Sequence, residues 1–301
     1  MNQKTEKRKS GIFKTLLIAA IMVATVTGAF YGTTQVAAAA ENNKVTTLPT
    51  AYPISVSTPA TPEQAQAPEG YVKPAYTIVD NSLEVYRDRK PTANDISKEE
   101  AAEIGVQALW SVFGLDLNGK TIEMGYEPAQ DMVRAKWSGE YWIDGQSGPD
   151  HPMYRFTVDA ITGEIYGVGF GRILNVNANL GYDAELSKNP AAAEAIAKKY
   201  AEELNAVGGP VKSSTIGSQG YSGNDPVVNF RIVGENGRLA VIQISRYDNA
   251  LLSIAYHDYV IEEDAVIKQI EREAAEMQAE IERRGAETGN TGTPQMIPFS
   301  N

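Results

Sequence analysis

The chain has 301 residues, of which 43% are hydrophobic and 22% charged, so it can form one large or two small globular domains. It contains no cysteine, which excludes disulfides, thiolate nucleophiles, zinc–thiolate sites and lipid attachment to cysteine. Its net charge is −11, and without residues 1–40 it is −15, because 22 basic and 37 acidic residues remain. This acidic balance argues against nucleic acids and anionic lipids as partners, since both require a basic face.

The N-terminus has the three-part pattern of an export signal. Five basic residues precede the apolar run from Thr15 to Gly32, and the small residues of "QVAAAAENN" follow it. We expect residues 1–40 to be a signal peptide, cleaved after about Ala40. The alternative is an uncleaved membrane anchor, because the apolar run approaches the roughly 20 residues that span a bilayer. Both alternatives predict an extracytoplasmic chain, secreted or anchored to the outer face of the cytoplasmic membrane.

Residues 41–91 are rich in proline and threonine, and as far as about Gly70 they lack a periodic apolar pattern. This composition predicts a spacer. The segment "YTIVDNSLEVYRD" near its end is more apolar, and we expect it to add an edge strand to the domain that follows.

The first clear helix signal is "DISKEEAAEIGVQALWSVFG". Ser97 and Glu100 form a capping box, Ile96 takes the staple position before it, and Gly114 provides a stop. The apolar face of this helix is predicted from its periodic residues, which are Ala101, Ile104, Ala108 and Val112.

The next segment, "GLDLNGKT" from Gly114 to Thr121, fits the pattern of a phosphate-binding loop. Such a loop must follow a strand and open a helix, whose free N–H groups hold the phosphates. Here the predicted order is reversed, and Asp116 places a carboxylate where anions would bind. We therefore interpret the segment as a helix stop followed by a turn, and we expect no nucleotide site.

Four strand-like runs follow and predict an antiparallel meander. They are "KTIEMGYE", "DMVRAKWSGEYWI", "MYRFTVD" and "EIYGVGFG". The second run carries the aromatic residues Trp137, Tyr141 and Trp142. The sequence leaves open whether this cluster belongs to the core or to a binding surface.

The last two runs enclose the turn "DAITGE". We expect Asp159 to accept hydrogen bonds from the turn backbone and Gly163 to take a positive φ. The segment "MYRFTVDAITGEIYGV" resembles the closing hairpin of a PepSY domain, and "ISKEEAAEIGVQAL" is similar to the leading helix of that family. The resemblance covers about residues 95–171.

The same order of elements returns further along the chain. Asn189 and Pro190 predict the start of a helix, and Gly208 and Gly209 predict its end. Strand-like runs follow, which are "VKSSTIGSQGYS", "DPVVNFRIVG", "RLAVIQISR" and "ALLSIAYHDYV". The second copy carries "SRYDNALLS" where the first has its acidic glycine hairpin.

These patterns predict an α+β fold with two repeated units, each a helix packed on an antiparallel β-meander sheet. The first PepSY-like unit covers residues 92–175, and the second, divergent unit covers residues 183–260. Residues 261–285 predict a charged amphipathic helix whose apolar stripe packs on the second unit or pairs with another helix. The stripe of this helix consists of Val266, Ile270, Ala274, Met277 and Ile281. Residues 286–301 are expected to be a disordered tail.

The chain offers no catalytic motif, so we predict no catalytic, cofactor-binding or metal-binding residues. His151 and His257 lack the spacing of a metal site. A carboxylate pair for a hydrolase would have to come from scattered acids, such as Glu140, Asp144, Asp150 and Asp159.

The PepSY resemblance implies a noncatalytic extracytoplasmic module with a protein partner, and the family's association with peptidases suggests a secreted or envelope peptidase. No nucleic acid or nucleotide is expected, and membrane contact is expected only through an uncleaved N-terminal segment. The first alternative is a structural or assembly factor of the cell envelope that acts through its C-terminal helix. The second alternative is a hydrolase with an unrecognised carboxylate site.

Overall fold

In the computed structural model, the described part of the chain comprises residues 67–130, 133–148, 150–174, 180–220 and 225–287, with no side-chain detail at residues 282 and 284–287. The expected signal peptide or anchor and the first part of the spacer lie outside these residues. The predicted tail does too, apart from residues 286 and 287, which belong to the last helix.

This part of the chain forms an α+β fold with four α-helices and a nine-stranded mixed sheet. The helices are α1 (Lys98–Phe113), α2 (Ala184–Lys188), α3 (Ala191–Glu203) and α4 (His257–Glu287). The strands are β1 (Thr77–Asp80), β2 (Thr121–Glu127), β3 (Lys136–Trp142), β4 (Met153–Asp159), β5 (Ile165–Gly171), β6 (Val211–Gly220), β7 (Val227–Gly234), β8 (Leu239–Ser245) and β9 (Leu251–Tyr256). A 3₁₀ turn, Glu84–Tyr86, follows β1.

The strand order across the sheet is β1-β2-β3-β4-β5-β9-β8-β7-β6. β1 pairs parallel to β2 at one edge, as expected for an edge strand contributed by the spacer. All other neighbours are antiparallel, and β5 meets β9 in the middle of the sheet.

Helices pack on both faces of the sheet. On one face, α1 packs over β2–β5 and α3 over β6–β8, around a single large core. On the other face, α4 crosses β5, β8 and β9 with a smaller apolar cluster beneath it. That cluster consists of Tyr166, Ala255, Tyr259 and Val260.

The ends of α1 follow the sequence signals. The Ser97 hydroxyl accepts a hydrogen bond from the Glu100 N–H at 3.1 Å, and Gly114 takes a left-handed φ of 64° with its N–H bonded to the Trp110 carbonyl. The buried face is shifted by about one residue from the predicted stripe, because its centre lies on Ala102 and Val106.

The segment "GLDLNGKT" connects the C-terminal end of α1 to β2, as predicted for a turn. Asn118 accepts a hydrogen bond from the Ala75 N–H at 3.2 Å, and Gly119 takes a positive φ of 70°. The helix terminus that borders the segment is thus a C-terminus, whose free carbonyls repel phosphate.

We expect Lys120→Ala to change the free energy of unfolding by less than about 0.5 kcal/mol, because the Lys120 side chain is exposed. Urea denaturation of both proteins measures this difference. We also expect no saturable ATP binding by calorimetry. ATP binding that disappears in Lys120→Ala would contradict the interpretation of the segment as a turn.

The β4–β5 hairpin forms as predicted. The Asp159 carboxylate accepts hydrogen bonds from the Ile161 N–H at 2.7 Å and the Thr162 N–H at 2.9 Å. Gly163 has a φ of 72°, a conformation that disfavours side chains with a Cβ. A Cβ at this position would also lie 3.3 Å from Cδ1 of Ile104 in α1.

Gly163→Val is expected to lower the free energy of unfolding by about 1 to 3 kcal/mol, because valine is strained at positive φ. Gly163→Ala should lower it less. Thermal unfolding of both variants measures the loss. Gly181→Val is the control, since a Cβ there meets open space without positive φ. Unchanged stability in Gly163→Val would mean that the hairpin is misassigned.

The helix predicted between Asn189 and Gly208 differs from its prediction at both ends. Asn189 ends α2, and Pro190 occupies the N-cap of α3 without a side-chain cap. The helix stops at Glu203, well before Gly208, because Asn205 takes a left-handed φ of 48°. The Ala206 N–H then bonds to the Ala201 carbonyl at 2.8 Å, which closes the helix end.

The last helix begins at His257, four residues before the predicted start at 261, and continues directly from β9. Its first turns pack on the sheet, where Val266 is buried. The second half of the predicted stripe is open to solvent, with Ile281 49% exposed. Among the described residues, no helix combines the length and apolar character needed to cross a bilayer.

Glu263 on α4 predicts a pH dependence of stability. Burial, with the neighbouring Asp264 carboxylate, raises the pKa of Glu263 to about 7 from 4.5. The folded chain therefore holds this proton more tightly than the unfolded chain, and stability falls as pH rises from about 4.5 to about 7.

Glu263→Gln should raise the free energy of unfolding by about 1 to 2 kcal/mol at pH 8 and leave it unchanged at pH 4.5. Urea denaturation at pH 4.5 and pH 8 measures this difference, and Glu271→Gln is the control because Glu271 is exposed. An equal gain in stability at both pH values would contradict the prediction.

Candidate functional site

A solvent-open cleft of about 530 Å³ lies on the sheet face opposite α1. Its floor is formed by the outward side chains of β2–β5, and Tyr259 from the start of α4 closes one side. The volume falls within the roughly 300–1,000 Å³ that is usual for ligand pockets.

The segment around the 3₁₀ turn forms the opposite wall. The Tyr86 ring lies directly on Gly125 of β2, where a Cβ would come within 2.5 Å of the ring. Leu83 and Val85 line the cleft and remain 54% and 46% exposed. An aromatic ring and two exposed aliphatic side chains thus offer apolar contact area at the rim.

Strand register places charged side chains in a row across the floor. Glu123 of β2 is opposite Glu140 of β3, and Glu140 is opposite Arg155 of β4. All three line the cleft. A second charged pair lies nearby, where the Lys136 ammonium is 3.4 Å from the Glu127 carboxylate.

Glu140 is the most constrained of these carboxylates. Burial raises its pKa, and the charge of Glu123 raises it further, whereas Arg155 acts in the opposite direction. The Asn81 side-chain amide donates a hydrogen bond to it at 3.2 Å. The free energy of ionised Glu140 therefore depends on the charges that enter the cleft.

A polar network joins the inner end of the cleft to α4. The Tyr166 hydroxyl lies 2.9 Å from the Asp159 carboxylate and 3.3 Å from that of Glu262. The Arg134 guanidinium is 2.9 Å from Asp159 and 3.5 Å from Glu262. Burial and the two carboxylates raise the pKa of Tyr166, so its hydroxyl stays protonated as a donor. This network holds α4 against the hairpin.

The three aromatic residues of β3 are divided between the two faces. Trp137 and Tyr141 are buried in the core beneath α1, 4% and 9% exposed. Trp142 points to the other face and lines the cleft. The alternation of side chains along a strand explains the division.

The other candidates from the sequence do not converge on one site. Glu140 lines the cleft, whereas Asp144 bonds to His151 at 2.8 Å in an exposed turn. Asp150 is exposed, and Asp159 is fully buried in the hairpin. His257 accepts a hydrogen bond from the Leu239 N–H at 3.0 Å. In the ranges that the structure describes, no group of three acidic or histidine side chains could hold a metal ion.

Sequence reasoning missed most of the cleft. Glu123, Arg155 and Tyr86 were not singled out, because each looks like an ordinary residue of its own strand or turn. The one local signal was the alternation along β3, which placed Glu140 and Trp142 on the same face.

Comparison with known proteins gives little further information. No family model matches the chain, and no curated protein matches it. Among solved structures, the chain is similar to the Bacillus megaterium YpeB C-terminal domain, with 11% sequence identity and a TM-score of 0.33. The alignment covers 56% of this chain and 67% of that domain.

Proposed function

We propose that this protein is a noncatalytic extracytoplasmic binding module that takes a segment of a protein partner into the cleft. The partner class that the PepSY resemblance suggests is a secreted or envelope peptidase, which the module would bind or inhibit. The export pattern of residues 1–40 supports the extracytoplasmic location.

The order of elements supports a tandem PepSY-like arrangement. α1 is followed by the meander β2–β5, and α3 is followed by the meander β6–β9. The last strand of each meander lies at the middle of the sheet, where β5 pairs with β9. Both helices cover the same face, and the part of the opposite face of β2–β5 that α4 does not cover is open as the cleft.

The observation that carries the proposal is the composition of that cleft. Exposed Leu83 and Val85 lie beside a floor that carries Glu123, Glu140 and Arg155. Apolar contact area beside a few convergent charged groups is the usual composition of a recognition site. A side chain from a partner could bury its apolar part at the rim and pair its charge on the floor.

Affinity capture from the native envelope tests this proposal. The bait is the chain from residue 41 onward, compared with a Leu83→Asp, Val85→Asp double variant. We expect a peptidase among the captured proteins, and we expect its capture to fall at least tenfold in the double variant. Both side chains are exposed, so the fold should tolerate the substitutions.

Val72→Asp serves as the matched control, because Val72 is 83% exposed and does not line the cleft. The Val72→Asp variant should capture as much of the peptidase as the parent protein does. Capture that survives in the double variant, or that contains no peptidase, would contradict the proposal. Inhibition of the captured peptidase by the parent chain, but not by the double variant, would show that binding also restrains activity.

The assembly-factor alternative is favoured by one observation, the exposed second half of α4. Ile281 is 49% exposed there. A chain truncated after residue 270 distinguishes the two functions. Capture lost on truncation, but kept in the cleft variant, would indicate docking through the helix.

The hydrolase alternative has one candidate pair, Glu123 and Glu140, which face each other in the cleft. Burial raises the pKa of Glu140, and a carboxyl group with a raised pKa beside a second carboxylate occurs in acid–base catalysis. Hydrolysis of peptide or glycoside substrates by the purified chain, abolished in Glu140→Gln, would favour this function over binding alone. We expect no such hydrolysis.

A further inference from the structure

One end of the cleft contains two carboxylates that lie directly opposite each other. Glu123 and Glu140 are direct cross-strand partners on β2 and β3. Like charges placed directly opposite each other in a sheet are destabilising. Such a pair is therefore a cost to folding, and a cation bound between the two carboxylates would remove it.

The neighbouring groups do not remove this cost fully. Glu140 has Arg155 opposite it and receives a hydrogen bond from Asn81. Glu127, further along β2, is paired with Lys136. Within the described ranges, however, Glu123 takes part in no salt bridge. The carboxylates on the floor thus exceed the basic groups by one.

The walls beside this pair suit a long side chain with a charge at its end. Trp142 lies two residues from Glu140 on the same face of β3, and Leu83 and Val85 form the opposite rim. Lysine and arginine bury their aliphatic stems on apolar surfaces and keep the charged group at a polar end. An aromatic face beside the cation adds a further attraction.

We infer that this end of the cleft binds the cationic side chain of a lysine or arginine, held between Glu123 and Glu140. The inference rests on the proposed function for the view that this side chain belongs to a segment of a protein partner. Burial and Glu123 raise the pKa of Glu140, and a bound cation would lower it. Binding should therefore strengthen as pH rises through the range in which Glu140 ionises.

Blocked pentapeptides test the inference. The probes have the form Ac-Ala-Ala-X-Ala-Ala-NH₂, with Lys, Arg, Gln or Glu at X, and they are titrated calorimetrically into the full-length protein in mild detergent at low salt. We expect the Lys and Arg peptides to bind at least about tenfold more tightly than the Gln peptide, which corresponds to about 1.4 kcal/mol. The Glu peptide should bind most weakly.

Charge-removing variants identify the carboxylates responsible. Glu123→Gln and Glu140→Gln should each reduce the affinity for the Lys peptide about fivefold to tenfold and leave the Gln peptide unaffected. Glu202→Gln is the matched control, because Glu202 is exposed on α3 and far from the cleft lining. Circular dichroism confirms that each variant keeps its fold. Equal affinities for the four peptides, or unchanged affinity in both cleft variants, would overturn the inference.

A free diamine distinguishes the two possible sources of the bound ammonium group, a lysine in a protein segment or a small free amine. We expect cadaverine to bind more weakly than the Lys peptide, because it lacks the backbone that would contact the rim. Equal affinity for cadaverine would overturn the assignment to a protein segment. In a further outcome, the Glu123→Gln variant captures a partner as well as the parent does, while the Leu83→Asp, Val85→Asp variant loses that partner. This outcome would contradict the cationic site and leave the proposed function intact.

Discussion

Replacing Asp159 with alanine should lower the free energy of unfolding by about 3 to 5 kcal/mol, because it removes a fully buried carboxylate together with its hydrogen bonds. Asp159 is fully buried. One carboxylate oxygen accepts the hairpin N–H groups of Ile161 and Thr162, and the other accepts from Tyr166 and Arg134. Alanine removes the acceptor of all four donors, and a hydrogen bond to a charged group contributes about 1.5 to 3 kcal/mol.

Urea unfolding followed by circular dichroism measures this loss. Asp150→Ala is the control, because Asp150 is exposed, and its change should stay within about 0.5 kcal/mol. Asp159→Asn should cost less than Asp159→Ala, since the amide keeps one oxygen for the hairpin. If Asp159→Ala unfolds at the same urea concentration as the parent, the network between the hairpin and α4 does not hold the fold.

Phe156→Ala should also lower the free energy of unfolding by about 3 to 5 kcal/mol, because the change opens a cavity in the main core. The ring is 2% exposed and lies between Gly105 of α1 and Gly139 of β3. A Cβ at either glycine would come within 2.1 Å of ring atoms. The helix therefore approaches the sheet closely at this point, and the ring fills the space that the two glycines leave.

Equilibrium unfolding of single and double variants tests this packing. Gly139→Ala alone should cost about 1 to 3 kcal/mol through overpacking. In the Phe156→Ala background the same change should cost much less, because the clash is gone. Phe170→Ala is the control for loss of a ring, since Phe170 is only half-buried and stacks on Tyr154. Additive losses in the double variant would contradict the arrangement.

The sequence was sufficient wherever the structure depends on hydrogen bonds between close neighbours in the chain. The Ser97 cap, the Gly114 stop and the hairpin of Asp159 and Gly163 were all predicted, because each closes within a few residues. Where two local signals competed, prediction was less accurate. The end of α3 was placed near Gly208, although Asn205 had already taken the left-handed position.

Composition and element order also determined the α+β class, because alternating strand patterns and helix caps can be read one segment at a time. They did not determine which strands become neighbours. The pairing of β5 with β9 joins residues more than 80 positions apart, and β1 reaches β2 across the whole of α1. Such pairings depend on how whole faces bury together, which no local pattern records.

The cleft is the clearest product of tertiary structure. Tyr86, Glu123 and Arg155 come from three separate elements, and only the register of β2, β3 and β4 places the charges in one row. Side chains alternate along a strand, so Trp137 and Trp142 of β3 lie on opposite faces. This alternation could not show which face α1 would cover, because that choice depends on the packing of Gly105, Gly139 and Phe156 between two elements distant in the chain.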